Sequence, residues 1–353
     1  MKTTRWLDFI LSLLCICTSL AWSLQIRKTL EGSFAMTDFG GIYFESLCAL
    51  RGKDPYNRVG PIEEFTRAKE ELPHDPRKAR VTTIIVAVCV YLPTALFLLA
   101  PFSLLSWSTA QVVWTAASAL ALLIAALLVL KLAREGPLWL SRLLVYLILA
   151  NCISIFLSGN VAAVVVGLCI AGSWSFLTER YAGLGVILLS VALALKPHDV
   201  GFVWLYFLLA GGVRRKYAIR SLGMAIVIGI CAALWITPVS PHWIWELKNN
   251  NEAVSALGST SDPGPTGLTN GGVAPVIDLQ AMFSIFRNDP HFYNPIAYGL
   301  GGVLLLIWIA GVIRKQKTYE SSLLAIGSIS ILTLLPVYHR HATARSHPRP
   351  GRH

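Results

Sequence analysis

The ionisable side chains that could do chemistry in this chain stand at the ends of apolar runs. Asp38 follows the first run, Lys196 closes a later one, and His339 and His341 follow the last. A carboxylate can act as a general base, an ammonium can bind a phosphate, and an imidazole can relay a proton or bind an anion. Because charge near membrane depth is costly, ionisable groups at helix ends on one face are functional candidates.

Each of these side chains also has a structural explanation. Asp38 could be a helix-flanking aspartate, and Lys196, followed by Pro197, could extend its ammonium to lipid headgroups instead of a bound phosphate. His339 and His341 stand two residues apart, and the nearer could relay a proton or bind a phosphate. A metal pair is not predicted, because the sequence places no carboxylate or cysteine beside them.

Membrane helices must position these groups. The chain has 353 residues, of which 55% are hydrophobic and 14% charged, and its mean hydropathy is +0.60. We therefore predict an all-α, polytopic membrane helix bundle with about nine or ten membrane helices, since a span needs roughly 20 apolar residues. A first helix over 6–24, retained rather than cleaved as a signal peptide, precedes the other candidate spans, which are 82–105, 111–132, 138–157, 161–177, 182–195, 200–212, 221–237, 297–313 and 322–338.

The distribution of basic residues predicts the topology of the bundle. The net charge is +11, and the excess lies in short clusters between apolar runs, at 214–220 and 314–317, and in the tail. The positive-inside rule places both clusters in the cytoplasm, which puts the polar segments 25–81 and 238–296 outside. Membrane lipids are the expected surroundings, and nucleic acid is not an expected partner.

Counting crossings from the amino terminus conflicts with this topology by one crossing between 81 and 137. Either the stretch that contains Pro93 bends back without crossing, or a short segment near Gly159 or Lys196 does. We expect a single multi-pass domain over 1–338. The tail 339–353, rich in His, Arg and Pro, is expected to be disordered or to mark a truncation.

The first outer segment carries helical periodicity despite its charge. Phe44, Leu47 and Cys48 form one apolar stripe, and Ile62, Phe65 and Ala68 form another, with a turn at 52–56 between them. Two short helices lying in the membrane interface fit this pattern, and a solvated loop is the alternative.

An ordered series of short motifs runs through the chain. It consists of Asp38-Phe39-x-x-x-Tyr43, Arg51-Gly52-Lys53-Asp54-Pro55-Tyr56, Tyr91-Leu92-Pro93, Ala100-Pro101, Gly159-Asn160 and Leu195-Lys196-Pro197. In order and spacing the series resembles glycosyltransferase family 87, whose members include polyprenyl-phosphate-mannose-dependent α-1,2-mannosyltransferases with the GT-C fold. The resemblance extends from about Asp38 to about Arg220.

The resemblance implies a hexosyltransferase of the plasma membrane, the inner membrane of a bacterium. It would move a hexose, mannose first, with inversion from a polyprenyl-phosphate donor to a lipid or cell-envelope glycan acceptor on the extracytoplasmic face. Asp38 resembles the family's catalytic base. The expected substrate-binding residues are Tyr43, Asp54, Tyr56, Asn160, Lys196, His339 and His341. No cofactor is expected, and no metal, since the sequence holds no Asp-x-Asp and no glycine-rich phosphate loop.

Two readings from other classes stay open. A transporter or lipid flippase would show paired repeats with broken helices and polar groups at mid-membrane. An inactive membrane scaffold is the other, because of the unusual carboxyl-terminal tail.

Overall fold

In the computed structural model the chain is built of helices. The structure describes residues 36–68, 83–132, 158–259, 261–266, 278–314 and 319–334, with parts of 6–20 and 142–146. No strand occurs in these ranges, so the all-α prediction is confirmed. The chain divides into two compact units, Met1–Leu247 and Lys248–His353.

In the described part of the first unit, nine α-helices have both ends defined. They are α1 (Thr37–Leu50), α2 (Val59–Arg67), α3 (Pro93–Leu99), α4 (Trp107–Leu132), α5 (Ala162–Thr178), α6 (Ala182–Leu195), α7 (Pro197–Ala210), α8 (Gly212–Ile236) and α9 (Trp243–Ser255), and a 3-10 helix over Ala100–Leu104 follows α3. The second unit contains α10 (Leu279–Ser284), α11 (Pro290–Arg314) and α12 (Tyr319–Leu334).

Three of the described helices are long and apolar enough to cross a membrane. They are Trp107–Lys131, Gly212–Ile236 and Pro290–Arg314, each of 25 residues with a hydropathy between 2.1 and 2.5. Such a helix rises about 37 Å, against a hydrocarbon core of about 30 Å. Shorter apolar helices include α5 and α6, and the candidate 138–157 lies largely outside the described residues. The count of nine or ten crossings stays a prediction.

The predicted span 82–105 is not one helix, and that part of the prediction is wrong. Helix runs over 83–87, breaks, and resumes where Pro93 opens α3, while Leu92 before it is extended with a ψ of 149°. Proline has no N–H to donate and clashes with the preceding turn, so it begins a helix more readily than it continues one. The seven residues of α3 rise only about 10 Å. Of the alternatives for the missing crossing, this break favours the one in which the stretch that contains Pro93 bends back without crossing the membrane.

The two predicted helices of the first outer segment are present as α1 and α2. Their place in the membrane interface stays a prediction, and α1 is largely covered by other parts of the chain. Phe39, Ile42 and Phe44 on α1 are completely buried. Helix α1 packs against α2, α3 and the 3-10 helix, so apolar side chains on several sides of it are covered.

Candidate active site

The Asp38 carboxylate lies in the first turn of α1 and is partly exposed. Its side-chain Oδ2 accepts a hydrogen bond of 2.8 Å from Nδ2 of Asn160, which is 122 residues away in the sequence. Its backbone N–H donates to the carbonyl of Ser158 at 2.9 Å. The structure therefore brings together two residues that the sequence marked separately, and it holds the carboxylate by an amide donor.

Contacts with α1, α4 and the start of α5 hold the loop that carries Asn160. Gly159 has a φ of +69°, and a Cβ there would meet Cβ of Phe39 at 2.8 Å, so a larger residue would strain the backbone and push α1 away. Its carbonyl accepts a hydrogen bond of 2.8 Å from Nε1 of Trp114. Oδ1 of Asn160 accepts the N–H of Ala162 at 2.9 Å, at the start of α5. The Asn160 amide is thus oriented before any substrate arrives.

Stacked aromatic rings support α1 directly behind Asp38. The rings of Phe39 and Trp114 are parallel within 3° at 4.8 Å, and those of Phe39 and Trp107 lie 5.8 Å apart. Tyr43 joins this packing, is 5% exposed, and donates its hydroxyl to the carbonyl of Leu105 at 2.8 Å. The ring and the hydroxyl of Tyr43 both take part in the packing of the core, and its contact with substrate stays a prediction.

Asp54 and Tyr56 occupy the turn between α1 and α2. Oδ1 of Asp54 accepts the N–H of Tyr56 at 2.9 Å, and the Asp54 side chain stays partly exposed. Tyr56 is only 2% exposed, and its hydroxyl donates to the carbonyl of Tyr91 at 2.9 Å. Asp54 is therefore accessible to a ligand. The Tyr56 hydroxyl instead stabilises the non-helical segment that precedes α3.

Basic residues of this turn and of α2 surround a buried carboxylate on α2. Glu64 is almost fully buried and pairs with Arg51, with Arg67 at 3.0 Å and with Lys53 at 3.2 Å. Lys53 also contacts the exposed Glu63 at 2.7 Å. A buried carboxylate needs such partners to remain charged. These contacts explain the charged Arg-Gly-Lys-Asp motif as a structural clamp of the outer segment.

Lys196 lies between α6 and α7 and is not a solitary cation. Its Nζ is 3.1 Å from Oδ2 of Asp199, and 14% of its side chain is exposed. Nε2 of His198 lies 3.3 Å from the other Asp199 oxygen. Burial lowers the pKa of His198, and although Asp199 opposes this shift, Lys196 adds to it. The i,i+3 spacing of Lys196 and Asp199 was the sequence signal for this pair.

Helix α3 connects the two candidate groups. It packs against both α1 and α6, and Oγ1 of Thr94 donates to the carbonyl of Ala194 at 2.5 Å, two residues before Lys196. Convergence of Lys196 with Asp38 on one pocket stays a prediction. His339 and His341, the remaining members of the predicted site, lie outside the described residues.

Glu45 was not among the predicted site residues, yet it is the most unusual carboxyl group of α1. It is completely buried, and among the described residues no N–H or O–H group donates a hydrogen bond to either Oε atom. Burial raises the pKa of Glu45 to about 8, while the neighbouring Cys89 thiol opposes part of that shift. It stands seven residues after Asp38, on the same side of the helix. This spacing was the only sequence signal, and burial is what distinguishes the two carboxyls.

The fold and the position of these groups define an integral membrane helix bundle with ionisable residues at helix ends. The model of glycosyltransferase family 87 matches residues 90–337, well over half of the chain. The chain belongs to this family and is a membrane glycosyltransferase. No curated protein and no solved structure matches it significantly. Asp38 precedes the matched residues, so its assignment depends on the geometry of its site.

Proposed function

We propose that this glycosyltransferase moves a hexose, with mannose as the first sugar to test, from a polyprenyl-phosphate donor to a lipid or cell-envelope glycan acceptor. The reaction takes place on the extracytoplasmic face of the plasma membrane and inverts the anomeric centre. The observation that carries the proposal is the Asp38 carboxylate, partly exposed and oriented by Asn160 at 2.8 Å. Family membership supports transfer over transport and over an inactive scaffold.

A single displacement needs one general base. The acceptor hydroxyl oxygen attacks the anomeric carbon, and its proton passes to the Asp38 carboxylate. The bond from that carbon to the phosphate oxygen breaks, and polyprenyl phosphate leaves with the electron pair. Phosphate needs positive charge more than it needs an acid, and Lys196 is the proposed source of that charge. Its pairing with Asp199 would hold the ammonium in place until the phosphate binds.

The proposed function is tested with membranes that contain the chain. They are incubated with a panel of radiolabelled polyprenyl-phosphate sugars, and lipid and glycan fractions are examined for a labelled product. We expect one hexose donor to be used, and the corresponding nucleotide sugar to give no product when polyprenyl phosphate is absent. Transfer directly from the nucleotide sugar would contradict the proposal.

The Asn160 amide is expected to act by orienting the base. Asn160→Ala removes the 2.8 Å contact, and a misplacement of about 1 Å can cost up to a hundredfold in rate. We expect kcat to fall roughly tenfold to a hundredfold, with smaller changes in both KM values. Steady-state kinetics measures this, with Asn57→Ala as the control because Asn57 is an exposed amide of the same outer segment. An increase of the donor KM alone would assign Asn160 to substrate binding instead.

Topology provides an independent check, since the basic cluster after α7 should face the cytoplasm. Single cysteines are introduced at Arg215 and Ser259 in a cysteine-free background and treated with an impermeant thiol reagent in intact cells. We expect labelling at position 259 and none at 215 until the cells are permeabilised. The reverse pattern would contradict the proposed location of the reaction.

A further inference from the structure

A second group of side chains with ligand-binding chemistry lies at the start of α9. Asp54, Tyr56, Trp243 and Glu246 are named here the aromatic–carboxyl cluster. The rings of Tyr56 and Trp243 have centroids 6.4 Å apart and are tilted by 32°. Tyr56 is buried beneath, while Trp243, Asp54 and Glu246 are each partly exposed. Trp243 and Glu246 are three residues apart and therefore share one side of the helix.

Each carboxyl group of the cluster accepts a hydrogen bond from a neighbouring group. Oε2 of Glu246 accepts the Ser240 hydroxyl at 3.0 Å, and Oδ1 of Asp54 accepts the N–H of Tyr56. Burial raises the pKa of Glu246, the Ser240 hydroxyl opposes this, and the nearby carboxyl group of Asp54 raises it further. Carboxyl groups offer acceptors to the hydroxyl groups of a ligand, and a carboxyl group that holds its proton also offers a donor.

This combination fits an uncharged sugar better than a phosphate. The C–H face of a pyranose can lie on an aromatic ring, and its hydroxyl groups need convergent donors and acceptors at the rim. A phosphate would instead meet the negative charge of Asp54, and like charges at short range repel. We therefore expect the donor phosphate to bind at the cation Lys196 and the acceptor to bind at the aromatic–carboxyl cluster.

The cluster contacts the segment that leads into α3. The Tyr56 hydroxyl donates to the backbone carbonyl of Tyr91, and α3 packs against α1, the helix that carries Asp38.

We propose that the aromatic–carboxyl cluster is a subsite for an uncharged sugar unit of the acceptor. The proposal rests on the proposed function, because only a transferase has an acceptor. Trp243 is the platform for the sugar ring, and Asp54 with Glu246 binds its hydroxyl groups. The neighbouring Trp245, 67% exposed on the same helix, has no such partners among the cluster residues and is the matched control.

Equilibrium binding tests the subsite without any turnover. The full chain carrying Asp38→Asn is placed in lipid nanodiscs, and fluorescently labelled mannotriose and maltotriose are titrated by anisotropy. We expect at least one trisaccharide to bind, Trp243→Ala to weaken it by about tenfold or more, and Trp245→Ala to change it less than about twofold. Glu246→Ala, which removes the carboxyl group, should weaken it as well. Added polyprenyl phosphate should not compete.

Three results would overturn the subsite: no binding of either trisaccharide, equal losses in the two tryptophan variants, or competition by polyprenyl phosphate. Kinetics of the chain with native Asp38 separates this proposal from the function itself. If transfer occurs and Trp243→Ala leaves the acceptor KM unchanged, the subsite is wrong and the transferase stands. If trisaccharide binds as expected but no donor is used, the transfer proposal fails and the binding site stands.

Discussion

Asp38→Asn should lower kcat by about two to four orders of magnitude, which is the usual contribution of a general base. Asparagine keeps the size of the side chain and its ability to accept the Asn160 amide hydrogen at 2.8 Å. It cannot take the acceptor proton, however. The substitution therefore separates proton transfer from the packing of α1, and both KM values should change little.

The measurement is the initial rate of hexose transfer at saturating donor, with the amount of membrane-inserted protein determined in parallel. Glu63→Gln is the matched control, because Glu63 is a half-exposed carboxyl group of the same outer segment that has no place in the proposed site. Near-normal kcat with asparagine at position 38 would mean that the base is another group. Glu45 and Asp54 would then be the next carboxyls to substitute.

Glu45→Gln should make the stability of the chain less dependent on pH. The pKa of Glu45 is raised from 4.5 to about 8 by burial. Between these values the folded chain keeps a proton that the unfolded chain has lost. The free energy of unfolding therefore falls as the pH rises through this window, by up to about 1.4 kcal/mol per pH unit and about 5 kcal/mol in total. Below about pH 4.5 the full stability is present, and above about pH 8 the loss is complete.

Thermal unfolding of the purified chain between pH 5 and pH 8.5 measures this effect. The wild type should lose stability as the pH rises across this range, whereas Glu45→Gln should lose much less. The stability of the variant relative to the wild type should therefore be highest at the alkaline end. Glu63→Gln serves as the control, since half of the Glu63 side chain is exposed and it should follow the wild-type slope. If the unfolding temperatures of the wild type and Glu45→Gln change in parallel with pH, the Glu45 carboxyl group is charged or solvated in the folded chain.

The Glu45 prediction also bears on activity. Glu45 and Asp38 lie on the same helix, and ionisation of a completely buried carboxyl would disturb the packing of α1 against the segment around Cys89. A loss of transfer above about pH 8 that is absent in Glu45→Gln would follow from that disturbance.

Composition and local periodicity determined a good part of this protein. A mean hydropathy of +0.60 and helix-length apolar runs were enough to predict an all-α membrane bundle, because a backbone in lipid must satisfy its hydrogen bonds within each helix. The ordered motifs from Asp38 to Lys196 indicated the family that the match over 90–337 then showed. Local signals also predicted α1, the turn after it and α2, since helical stripes and turn residues act over a few positions.

Tertiary packing decided which of the candidate side chains are exposed and which are buried. The sequence treated Tyr43 and Tyr56 as sugar-binding candidates, and both proved buried, with hydroxyls that donate to the carbonyls of Leu105 and Tyr91. The contact between Asp38 and Asn160 spans 122 residues, and no local pattern encodes it. Glu45 and Asp38 are the same kind of group on one side of one helix. What distinguishes them is the desolvation of Glu45 by residues distant in sequence, because burial depends on which helices pack together and not on the residue itself.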